Sequence, residues 1–95
     1  MPSKLDQPAL DAFLADHPDW SVEGDFLRRE FTAKSARDAL RLIQRIGDLA
    51  EGAFHHPNLE WVYNRLVIRL QTHDAGGITR RDTHLAGCVE DVLGE

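Results

Sequence analysis

Cysteine is nearly absent from this chain. Cys88 stands alone, so neither an intramolecular disulfide nor a cysteine-based zinc cluster is available. That suits a reducing compartment, and Cys88 reads as a small apolar helix residue. Positive charge is also short: 11 Lys and Arg face 16 Asp and Glu, a net of −5, and the adjacent basic pairs are confined to Arg28-Arg29 and Arg80-Arg81. A binder of the phosphate backbone takes its affinity from clustered basic side chains, so no nucleic acid is expected as a partner. No apolar run approaches the ~20 residues of a membrane span, and the start MPSKLDQPALDAF carries acids where a secretory signal needs an apolar stretch. The expectation is a cytoplasmic chain with no membrane partner. Its 95 residues leave room for one domain, 1–95. The core available from 42% hydrophobic residues is modest and would gain from self-association.

The chain does hold clear element signals. Pro8 to Asp16 carries Leu10, Phe13 and Leu14 at helical spacing, with Asp6 placed to cap, and predicts a short first helix that stops before His17-Pro18. Trp20 to Phe31 reads as a β-hairpin turning at Glu23-Gly24-Asp25. Ser35 with Asp38 three residues on opens a second helix, Ala36 to Glu51. Its apolar residues, Ala39, Leu40, Leu42, Ile43, Ile46, Leu49 and Ala50, cover roughly half the circumference, where burying one face needs about 100°. The surplus around Leu42 and Leu49 is a candidate subunit interface. Asn58 to His73 is extended, as one strand or as two with a bend near Asn64-Arg65, and places Val62, Leu66, Ile68 and Leu70 on one parity. Thr79 and Asp82 open a last helix in which Leu85, Cys88/Val89 and Val92 repeat at helical spacing. The order of elements predicts an α+β layer fold with helices on one face of an antiparallel sheet.

Five histidines are the chemical feature, and three of them, His55, His56 and His73, lie near the junctions of these elements. Imidazole exchanges protons near neutrality, which general acid and base catalysis requires. Pro57 biases His56 toward an extended conformation and stiffens the loop. A metal site made from the three imidazoles is the rival reading. Against it, adjacent residues of an extended loop diverge, and no His-Glu-x-x-His spacing places two ligands on one helical face. Glu51 is either an ordinary exposed helix acid or a partner that orients an imidazole. His17 and His84 read as surface or capping residues, and Trp61 as a strand aromatic packing across the sheet.

Glu51, His55-His56-Pro57, Val62-Tyr63-Asn64, Thr72-His73-Asp74, Gly77 and Arg81-Asp82, in that order and spacing, resemble the pterin-4a-carbinolamine dehydratase family. With Trp20 before the hairpin and a long helix between, the resemblance covers nearly the whole chain. It implies a two-layer α+β fold: a four-stranded antiparallel sheet with three helices packed on one face. It also implies a homodimer or homotetramer, which would use the helix 36–51. Phe54 departs from the pattern, standing where relatives often have a polar residue such as Asn.

The activity so implied is a lyase reaction, dehydration of 4a-hydroxytetrahydrobiopterin to quinonoid dihydropterin plus water. It needs no cofactor and no metal, and it is coupled to an aromatic amino acid hydroxylase. The resemblance assigns His55 and His73 as acid and base and His56 to substrate binding and orientation. Glu51 would hold a histidine, Trp20 would bound the pterin pocket, and Pro57 and Thr72 would shape it. Asp82 matches the family motif, and its capping-box place offers a structural explanation too. Two other functions compete: a non-catalytic module that stabilises a partner's dimer, as in transcriptional coactivation, and a histidine-bound metal hydrolase.

Overall fold

The computed structural model describes residues 3–94. Asp6 caps helix α1, Gln7–Asp16, by accepting the Ala9 amide at 2.9 Å, and Pro8 occupies the first turn, where its missing N–H costs nothing. The hairpin follows as β1, Trp20–Glu23, and β2, Phe26–Thr32. Ser35 caps α2, Ala36–Ala53, through the Asp38 amide at 3.1 Å. This helix runs two residues beyond Glu51, the end read from sequence, and tolerates Gly52 in its last turn before the chain turns at Phe54. Strands β3, Asn58–Val62, and β4, Arg65–Leu70, form a second hairpin, and a 3-10 turn, His73–Ala75, leads to α3, Arg80–Leu93.

The four strands form one antiparallel sheet in the order β1-β2-β4-β3, and with three helices this is an α+β fold. Register decides which residues share its inner face. Leu27 pairs with Leu70, Ile68 lies between Arg29 and Leu59, and Leu66 between Phe31 and Trp61. Leu27, Ile68 and Leu70 form the core with Ile46 of α2 and Leu85 and Val89 of α3, and Leu10, Phe13 and Leu14 of α1 lean on it. Helix α3 is buried along Asp82, Leu85, Ala86, Val89 and Val92, a helical stripe with a charged residue at its first position.

Two expectations change here. Val62 was assigned to the parity of Leu66 and Leu70, but the turn at Tyr63-Asn64 reverses the chain and pairs Val62 with Arg65 on the outer face, where it is exposed. Asn64 fixes that turn by donating to the Ala33 carbonyl at 3.0 Å, while its own carbonyl accepts the Ala33 amide at 2.8 Å. On α2, Leu42 and Leu49 are half-buried against the core, and the large apolar side chain left exposed is Leu40.

The outer face of the sheet is charged. Arg28, Arg65 and Arg69 interleave with Glu23, Glu30 and Glu60. Hydrogen bonds from Arg69 and Arg65 hold the Glu23 and Glu30 carboxyls below the usual range. Val67, between Glu30 and Glu60 in register, is buried even on this side, since the methylene stems of its long neighbours exclude water.

Candidate active site

Helix α2 ends in a way that sets the direction of the histidine loop. Phe54 adopts the left-handed conformation, φ 52° and ψ 40°. His55 N–H then reaches back to the Ala50 carbonyl at 3.1 Å and Phe54 N–H to that of Glu51 at 3.3 Å. This is the paired closure that usually employs glycine, so a phenylalanine here carries backbone strain. The reversal turns His55 inward, toward the start of α3.

There His55 Nε2 lies 2.5 Å from Asp82 Oδ1. The His55 side chain is 11% exposed and that of Asp82 0%. A buried carboxylate must find donors or shed its charge, and Asp82 finds three. Its Oδ2 accepts the Thr72 hydroxyl at 2.8 Å and the Thr79 amide at 2.9 Å, and its Oδ1 accepts His55. Thr72 spends its one hydroxyl proton on Asp82, so at 2.7 Å Thr79 Oγ1 is the donor and Thr72 Oγ1 the acceptor. Thr79 Oγ1 accepts in turn from the Arg81 amide at 3.2 Å. Asp82 therefore performs two tasks with two oxygens: one closes the capping box of α3 and helps anchor Thr72, the other grips the imidazole. An ionised carboxylate only accepts, so His55 Nε2 is the donor in this contact, and Nδ1 is the ring nitrogen that does not meet Asp82.

The other candidates distribute unevenly around this centre. His56 turns its Nε2 to Glu51 Oε2, a pair exposed by 61% and 76%. The two adjacent imidazoles thus commit to different carboxylates, and among the described residues no three His, Cys, Asp or Glu side chains gather to hold one metal ion. Pro57 links His56 to β3.

His73 follows Thr72, the residue that donates to Asp82, directly in the chain. Strand β4 stops at Leu70, short of the extended reading to His73; Thr72 and Gly77 make a bridge, and His73 opens the 3-10 turn between them. Gly76 closes that turn at φ 69°, a conformation suited to glycine. The His73 side chain is exposed and makes no hydrogen bond among the described residues.

Trp20 stands apart. It is buried in the core, and its indole donates to Glu90 at 2.8 Å, eight residues and about 12 Å along α3 from Asp82. The structure ties its indole to the far end of that helix. Arg29 also donates to Glu90, at 2.6 Å. Burial pushes the Glu90 carboxyl up, but the Arg29 hydrogen bond and charge, the indole and His17 outweigh it and hold the group below its ordinary value. Thr79 was legible only as a cap; its hydroxyl's place in the Asp82 network has no short-range sequence signature.

A family model described as pterin 4 alpha carbinolamine dehydratase matches residues 3–92. The chain belongs to that family. Among curated relatives, proteins named "Putative pterin-4-alpha-carbinolamine dehydratase" from Thermomicrobium roseum and Rhodospirillum rubrum are 42% and 40% identical. These alignments cover 88% and 99% of this chain and 90% and 100% of theirs. A solved structure titled as a transcriptional coactivator/pterin dehydratase from Brucella melitensis superposes with a TM-score of 0.92 at 26% identity, over 97% of this chain and 100% of that one. A second, titled a pterin dehydratase-like RuBisCO assembly factor of the alpha-carboxysome, shares the fold with a TM-score of 0.66 at 17% identity, over 80% and 88% of the two chains. Membership supports a dehydratase that acts on a pterin. No described helix of this family member is long and apolar enough to cross a membrane.

Proposed function

We propose that this chain dehydrates 4a-hydroxytetrahydrobiopterin by histidine acid-base catalysis, in the cytoplasmic recycling of tetrahydropterin used by an aromatic amino acid hydroxylase. The observation that carries the reading is the imidazole of His55, held by a fully buried Asp82 that also accepts from Thr72, the residue next to His73. In the reaction the C4a–O bond breaks, a proton leaves the neighbouring ring nitrogen, a C=N bond forms and water departs. One group must protonate the leaving hydroxyl while another takes the nitrogen's proton. His55 and His73 fill these roles, and His56, held by Glu51, binds and orients the substrate. Thr72 and Asp82 position His55, and Pro57 stiffens the loop beneath the ring. Neither proton step calls on a bound cofactor.

The test is the decay of freshly generated 4a-hydroxytetrahydrobiopterin. Wild-type protein accelerates it, and His55→Ala or His73→Ala each lowers the rate by about 10²-fold or more. Decay unchanged at micromolar protein overturns the reading.

A second reading, a non-catalytic module that supports a partner's assembly, draws on the titles of the two solved relatives. Wild-type protein without dehydratase activity that co-purifies with a larger partner would favour it. For the chain itself we propose a dimer or tetramer through α2, where Leu40 remains exposed. In sedimentation analysis Leu40→Glu then shifts the protein toward monomer.

A further inference from the structure

A groove of about 990 Å³ lies between α1 and the first two turns of α3, lined by Phe13, His17, Arg80, Arg81 and His84 among others. Its volume falls in the range of small-molecule sites. Its charge is at odds with the rest of the chain. The protein carries −5 overall, yet no acidic side chain lines this groove. Arg80 and Arg81 are exposed and make no side-chain ion pair or hydrogen bond among the described residues.

These two guanidiniums also sit where the helix disfavours them. Arg80 and Arg81 open α3, and cations in a first turn face the positive end of the macrodipole. The nearby acid, Asp82, gives them no relief, since it points inward and its oxygens are committed to His55, Thr72 and the Thr79 amide. The capping box further spends the Thr79 and Arg81 amides, so the pull on a ligand comes from side chains rather than from the helix end. Two unpaired arginines kept against the helix dipole break a local rule without a compensating contact within the described residues, a pattern expected of functional positions.

On the other wall, His17 stacks on Phe13 with centroids 4.2 Å apart and planes 13° from parallel. Its Nδ1 donates to the Phe13 carbonyl at 3.0 Å. A flat surface therefore borders the cationic one.

We propose that this groove binds a small phosphate monoester carried on a flat ring, at a site separate from the histidine centre. A phosphate dianion of about −1.5 to −2 balances two arginines, and the guanidinium fork matches phosphate geometry. The stacked pair takes the ring. A longer polyanion is disfavoured by the net charge of −5 on the chain as a whole. The site does not depend on the dehydratase reading.

The test measures thermal unfolding with inorganic phosphate and with phenyl phosphate, each against sodium chloride at equal ionic strength. Both raise the wild-type Tm relative to chloride, and phenyl phosphate binds about threefold to tenfold more tightly. The double variant Arg80→Gln/Arg81→Gln loses both responses. In chloride it unfolds no lower than wild type, which shows that it is folded and that the arginines are not there for stability. Lys34→Gln/Arg37→Gln, which removes two positive charges elsewhere, keeps both responses, and so does His55→Ala.

A phosphate shift no larger than that of chloride overturns the proposal. So does a shift that survives in the Arg80/Arg81 double variant or disappears equally in the Lys34/Arg37 control, since either marks general counterion binding. Equal affinity for inorganic and phenyl phosphate overturns the ring-bearing ligand.

Discussion

Two adjacent histidines each meet a carboxylate, and the two pairs differ in almost everything else. His55 and Asp82 are 27 residues apart, buried, and embedded in bonds from Thr72 and Thr79. His56 and Glu51 are five apart and open to water. In the first pair the low-dielectric surroundings make each hydrogen bond strong and each missing partner costly. In the second, solvent screens the attraction and supplies substitute partners. The same two functional groups thus yield a buried imidazole held within a network in one place and a solvent-exposed pair beside it.

The comparison breaks most visibly at Asp82. Asp82→Ala strips His55, the Thr72 hydroxyl and the Thr79 amide of their acceptor, and the expected loss is about 3–5 kcal/mol in denaturant unfolding. A loss below about 1 kcal/mol would place this pair in the same class as the exposed one.

An intermediate case sharpens the trend. Glu90 is partly buried and held by Arg29 and Trp20, and Glu90→Gln is expected to cost about 1–2 kcal/mol at neutral pH. The folded-state pKa of Glu90 is lowered from its ordinary 4.5, so its ionised form favours the folded state. That contribution is fully present above about pH 4.5 and is lost as pH falls through the lowered folded value. The wild-type advantage over Glu90→Gln should therefore shrink on acidification below that point. An advantage that grows there would reverse the assignment.

Between the two pairs lies Phe54, whose left-handed backbone sends the chain from one to the other. Its side chain is 89% exposed, so removing it forfeits little burial. Phe54→Gly relieves the strained φ against a larger unfolded-state entropy, for an expected gain of about 0.5–1 kcal/mol by chemical denaturation. Destabilisation instead would mean that the ring makes contacts in an assembly. The smallest effect belongs to Glu51: Glu51→Ala should change stability by under about 1 kcal/mol, with the difference fading in 1 M salt. A large, salt-insensitive loss would erase the contrast between the pairs.

The capping residues explain how much could be read in advance. Asp6, Ser35 and Thr79 each act on an amide two or three residues away, and the spacing that allows the bond is written directly in the chain. The strand residues show the limit. Leu66, Ile68 and Leu70 alternate as expected, yet Val62 falls on the outer face because a two-residue turn reset the parity. Trp20 was assigned to the pocket on its motif, and the structure gives its indole to Glu90, 70 residues on. Asp82 was legible as a cap and as a motif residue, but its bond to His55 was not.

Sequence by itself determined the order of the elements, their capped ends and the three histidines near their junctions. These depend on periodicities and hydrogen bonds spanning a few residues, which chain geometry fixes locally. Tertiary structure alone decided that Asp82 meets His55 and not His56, that Thr72 and Thr79 close its coordination, and that Arg80 and Arg81 face a groove without acids. Those outcomes depend on how α3 docks against the end of α2 and against α1. That docking is set by the summed packing of a core drawn from the whole chain, which no short window of sequence contains.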